Sequence, residues 1–184
     1  MTGGDLLIVI VLVAAAIIGA RAGVIRGAGF AVGSVLVLAI GLWVRTPVGL
    51  QLGRIGPEWT IARSEMLALM AVLAAGYAVL LVIARGQGTA GTLRVLPGGL
   101  EPAAGVVLGV VGALLVIASI EAALAIGTGM GDGARSGGDL VADGYRALRA
   151  TAIGTALHRT VITDLGSILA PLLPYGTRTA LGIP

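Results

Sequence analysis

Four uninterrupted apolar runs, Leu6 to Ala20, Gly27 to Val44, Met66 to Ala84 and Ala103 to Ile120, leave this chain few ways to fold in water. A helix needs about 18 to 20 apolar residues to cross a hydrocarbon core roughly 30 Å thick, and each run approaches that length. The first does so when it is extended through Arg21 towards Ile25, with the guanidinium snorkelling to the head groups. The residues are 57% hydrophobic and 11% charged, and the mean hydropathy is +1.04, which soluble domains do not reach. The sequence therefore predicts an all-α, multi-pass membrane protein with four transmembrane helices.

The first run has no basic segment ahead of it and opens on Asp5, so it reads as a retained span and not as a cleaved signal. All the basic residues are arginine, scattered between the runs, and the net charge is +3. Scattered arginine argues for membrane orientation; a nucleic-acid face would need a clustered basic patch and stacking aromatics, which make up only 3% of the chain. Cysteine is absent, which excludes disulfides and thiolate metal sites.

Orientation follows from the short loops. Arg21 and Arg26 sit in the Ala20 to Arg26 turn without an acid, and Arg85 and Arg94 face Glu101 across the next loop on that side. Arg45, Arg54 and Arg63 on the opposite side are balanced by Glu58 and Glu65. The density of arginine in the first turn marks it as cytoplasmic, so both termini are expected on the outer side of the membrane.

Three units follow: residues 1–126 as the transmembrane domain, the glycine-rich linker GTGMGDGARSGG at 127–138, and an amphipathic helical tail at 139–184. Asp139 is placed to cap a helix with Asp143 and Arg146 on its polar side. Leu157, Val161, Leu165, Ile168 and Leu172 recur at the spacing of one helical face until Pro171 and Pro174 end it. That tail is too polar to span and is expected at the outer interface.

Glycines recur at intervals of four: Gly19 and Gly23, Gly29 and Gly33, Gly105 and Gly109. Lipid offers helices little hydrophobic reason to meet, so small residues that let backbones touch are the usual seam. These six glycines are therefore the expected helix-packing or partner contacts, against the alternative that pairs recur by chance in a chain with 31 glycines. Arg21 and Arg26 either hold the turn at the interface or bind an acidic head group. Glu121, next to the end of the fourth run, reads as a solvated helix end, with an intramembrane site as the alternative.

Catalytic patterns are weak. His158, Asp164 and Ser167 on one helix would lie about 240° and 180° apart from the histidine at about 100° per residue, so they cannot converge. A lone histidine makes a poor metal site, no lysine follows the glycines of 127–138 as a phosphate loop requires, and GAGFAVG at 27–33 has the wrong spacing for a dinucleotide turn. No cofactor, nucleotide or nucleic acid is expected.

DLLIVIVLVAAAIIGARAGVIRG, residues 5–27, resembles the first motif of the colicin V production protein (CvpA) family, with Asp5, Gly19, Gly23 and Arg26 in the motif positions. LEPAAGVVLGVVGA, residues 100–113, is similar to the second, with Glu101 as the acid and Gly105 and Gly109 as the glycines; Pro102 stands where the family has arginine. The resemblance implies a four-helix bacterial inner-membrane protein linked to secretion or envelope homeostasis, without assigned catalysis. The same region also resembles the membrane anchor of acid-resistance periplasmic serine proteases. The expectation is a non-enzymatic accessory or regulatory subunit of a larger membrane protein complex, of the kind that transports lipids, with the bilayer as its other partner. The alternatives are a small oligomeric channel or exporter and an anchor for a periplasmic partner such as a protease.

Overall fold

Gly23 holds a backbone conformation (φ 75°, ψ 178°) that a residue with a Cβ rarely adopts, and at that single residue the first apolar helix turns back on itself. A computed structural model describes residues 3–55, 60–86, 100–128 and 140–157. Five helices make up these residues: α1 (Gly3–Ile55), α2 (Ile61–Gly86), α3 (Leu100–Gly127), α4 (Leu140–Arg149) and α5 (Ala152–Leu157). No strand occurs among the described residues. Asp5–Ile55, Ile61–Arg85 and Leu100–Gly127 are long and apolar enough to cross a membrane.

The sequence predicts two helices parted by a turn from Ala20 to Arg26, whereas helix continues on both sides up to Gly23. The two legs of α1 run in opposite senses against α3. On the first leg Ala15 lies against Gly109 and Gly19 against Gly105, which is antiparallel; on the second, Gly27 lies against Leu108 and Phe30 against Gly112, which is parallel. The second leg then pairs antiparallel with α2, Gly33 meeting Leu80, Gly76 meeting Val37, and Gly49 meeting Glu65. Leu42 on α1, Leu69 and Leu73 on α2, and Ala122, Ala123 and Ile126 on α3 close the core between them.

The helix boundaries exceed the apolar runs. The second leg passes through Pro47 to Ile55 instead of stopping near Val44, and α3 extends to Gly127 where the run ended at Ile120. Thr60 starts α2 by accepting the Arg63 amide at 3.3 Å on its hydroxyl, as an N-cap does. Beyond α3, α4 turns back onto the bundle, Val141 packing beside Gly127. Leu7 and Ile8 of the first leg share an apolar crevice of about 440 Å³ with Ala147 and Leu148. Asp143 and Arg146 pair at 2.6 Å on its exposed side, the polar face expected from their spacing. Asp139, the linker from 129 onwards and the apolar repeat beyond Leu157 lie outside the described residues.

Candidate functional site

Two features stand out at opposite ends of the bundle: a seam of bare backbone near the Gly23 turn and a set of buried ionisable groups near the start of α2. Gly19 and Gly105 face each other so closely that a Cβ on either would collide with the other's carbonyl oxygen. A Cβ on Gly109 would strike the Ala15 carbonyl oxygen and come within 2.9 Å of the Gly19 Cα. Three of the predicted glycines thus form one internal contact between the first leg and α3. Gly23 provides the turn, with the Glu101 carboxylate 3.3 Å from where its Cβ would be. Glu101 and Arg26 are both half-buried beside that turn.

The other predicted pair separates. Gly33 is packed on Leu80, while at Gly29 a Cβ would meet nothing within 4 Å. Intervals of four put residues on one helical stripe, but α2 sets Leu80 against Gly33 and leaves a crevice between Gly29 and its Ile83 and Ala84.

At the opposite end, Asp5 is 8% exposed, Arg45 4% and Glu121 0%. The Arg45 guanidinium lies 3.4 Å from the Glu65 carboxylate, joining α1 to α2. The antiparallel register that sets Ala15 against Gly109 brings Asp5 level with the Ser119 to Glu121 stretch of α3. Charges at this depth are costly and are kept only where they face other protein groups. Glu121 is therefore not the solvated helix end that the sequence suggested: α3 continues past it, and its own helix and its neighbours cover it. Arg45 and Glu65 were counted for orientation alone; the signal that could have paired them is their position at facing ends of consecutive apolar runs.

Polar groups inside the runs are bound locally. The Tyr77 and Ser119 hydroxyls meet at 3.1 Å between α2 and α3, and Ser119 donates to the Leu115 carbonyl at 2.7 Å. Ser34 donates to the Phe30 carbonyl at 2.8 Å, and Ser64 reaches the carbonyls of Thr60 and Ile61 at 3.2 and 3.0 Å. None of these hydroxyls is aligned on a base, as a serine nucleophile must be. Among the described residues no group of three His, Asp or Glu side chains could hold a metal ion. His158, Asp164 and Ser167 lie outside the described residues.

Comparison with family models, curated proteins and solved structures finds no match to this chain.

Proposed function

We propose that this chain is a four-pass integral protein of a bacterial inner membrane, with both termini outside, serving as a non-enzymatic accessory subunit of a larger envelope assembly. The partner class we favour is a transporter of lipids or other hydrophobic cargo, motivated by the close-packing glycine seams and the amphipathic tail of the sequence; the colicin V production protein resemblance of residues 5–27 and 100–113 points more broadly to secretion or envelope homeostasis. Four passes accord with the doubled α1: Gly3 to Ala22 rises about 30 Å at about 1.5 Å per residue, enough for one crossing by itself.

The observation that carries the subunit reading is α4. It is anchored on α3 through Val141 beside Gly127, borders an open apolar crevice with Leu7 and Ile8, and holds Asp143 and Arg146 exposed at the end of the bundle. A short helix fixed in that way offers a second protein a polar surface already in place. A channel of several copies would instead need polar groups along an outer face, whereas Ser34 is buried and bonded within α1 and Tyr77 and Ser119 meet between α2 and α3.

The test is to purify the tagged protein from its own membranes in mild detergent and identify what co-migrates at native size. A stoichiometric larger complex supports the subunit reading and names the process. A homo-oligomer that conducts ions or solutes in vesicles would replace it with the channel, and an isolated monomer would remove the support for a stable assembly.

A further inference from the structure

The arginine-rich end of the bundle carries a crevice of about 200 Å³ between the second leg of α1 and the last turns of α2. Its floor is Phe30 and Leu80, its flanks Ile25 and Ile83, and Arg26 stands at its rim. Phe30 is held in place from behind, its ring against Gly112 and 6.3 Å from that of Tyr77. The crevice exists because residue 29 is glycine: the side chain that would occupy it is missing, and nothing in the fold takes up the space. Gly19, Gly33, Gly105 and Gly109 are all used in close contacts, so this glycine is left without a packing role.

We propose that this crevice binds one acyl chain of an anionic phospholipid, with the phosphate against Arg26 and Arg85. The placement of the basic and apolar linings favours a lipid that stands upright. Gly29 lies roughly 5 Å deeper than Arg26 along the helix, and Arg85 directly follows Ala84, which lines the opposite wall. The groove therefore starts at a basic rim and runs inward between apolar walls. Arg21 and Arg85 are exposed at this end, where Glu101 is the acid among the described residues, so the surrounding charge suits an anionic head group. The inference rests on the chain lying in a bilayer and does not depend on which assembly it joins.

The test uses the full purified chain in detergent, titrated with phosphatidylglycerol or with phosphatidylcholine of the same acyl chains, bound lipid being counted by native mass spectrometry. Phosphatidylglycerol should be retained about fivefold or more over phosphatidylcholine, the factor that one arginine near a head group contributes. Arg85→Gln, an exposed change, should remove about that factor, and Gly29→Leu should abolish retention while the circular dichroism stays that of the native helix. Free glycerol phosphate should not compete, because it lacks the chain that fills the groove. Equal retention of the two lipids would overturn the proposal, as would wild-type retention by Gly29→Leu or full competition by glycerol phosphate. Dissociation of a homo-oligomer by Gly29→Leu with lipid still bound would also overturn it and make the groove a helix-docking surface.

Discussion

Replacing Gly105 by alanine tests the central packing claim with one methyl group. The added Cβ would collide with the Gly19 carbonyl oxygen and sit 3.1 Å from its carbon and 3.4 Å from the Gly23 Cα. All three obstacles are backbone, so no side chain can swing aside, and the first leg must move off α3 by a substantial fraction of an ångström. A gap of about 0.5 to 1 Å forfeits a quarter to a half of the dispersion attraction of each contact it opens, and in lipid little else draws these helices together. Overpacking of this kind costs about 1 to 3 kcal/mol, while alanine recovers about 0.5 to 1 kcal/mol over glycine within a helix. From the middle of those ranges the expected net loss is about 1 kcal/mol. The control is Gly29→Ala, where nothing lies within 4 Å and only the helix gain applies, so stability should hold or rise. Reversible unfolding of purified protein in mixed micelles by added dodecyl sulfate, followed by far-ultraviolet circular dichroism, gives both differences. A Gly105→Ala protein as stable as wild type, or equal losses for the two variants, would refute the seam.

Gly23→Ala should destabilise by about 1 to 3 kcal/mol in the same assay, the cost of forcing a side chain into a conformation almost confined to glycine, although only the movable Glu101 side chain stands in its space. Arg45→Gln should be among the most damaging substitutions, because it leaves the Glu65 carboxylate without its counter-charge in a largely buried site; the loss expected for such a break is about 3 kcal/mol or more, and Arg45→Met with Glu65→Leu should recover most of it. Tyr77→Phe and Ser119→Ala should couple by about 0.6 kcal/mol in a double-mutant cycle, the usual worth of a hydroxyl pair between membrane helices. Asp143→Ala should leave stability unchanged, since its pairing with Arg146 is exposed and such surface pairs contribute little.

Much of the helical framework was legible because apolar length is a blunt signal. The runs at Leu6 to Ala20 and Gly27 to Val44 correspond to the legs of α1, and those at Met66 to Ala84 and Ala103 to Ile120 lie within α2 and α3. Spacing by fours identified the glycines but not their opposite numbers. Gly19 faces Gly105 because the chain reverses at Gly23; the turn read over Ala20 to Arg26 contains that residue, but spacing does not say which helix the first leg then meets. The same spacing cannot distinguish Gly33 from Gly29, since what separates them is the side chain that α2 sets opposite each, Leu80 against Gly33 and none within 4 Å at Gly29.

The buried charges were hidden for a related reason. Hydropathy ends a run at its first charge, so Arg45 and Glu121 were taken as boundaries and their burial went unseen. Yet a helix that has already satisfied its backbone has no reason to stop there, and α1 continues through Pro47 while α3 continues to Gly127. Those extra turns put Arg45 and Glu121 inside the bundle, where lipid cannot solvate them and neighbouring helices must. The two ends of the molecule are thus held by different forces. Near Gly23 the first leg adheres to α3 through bare backbone contact, which any added atom disrupts; near Arg45 the second leg is tied to α2 by charge, which removal of either partner disrupts. Apolar side chains such as Leu36, Ile40 and Trp43 face outward, where lipid suits them as well as protein would, so they contribute little to choosing a partner. In the proposed subunit role, selection of one protein over another would fall to the polar surface of α4, and Asp143 and Arg146, an exposed pair dispensable for stability, are where loss of binding without loss of fold is expected in the co-purification assay.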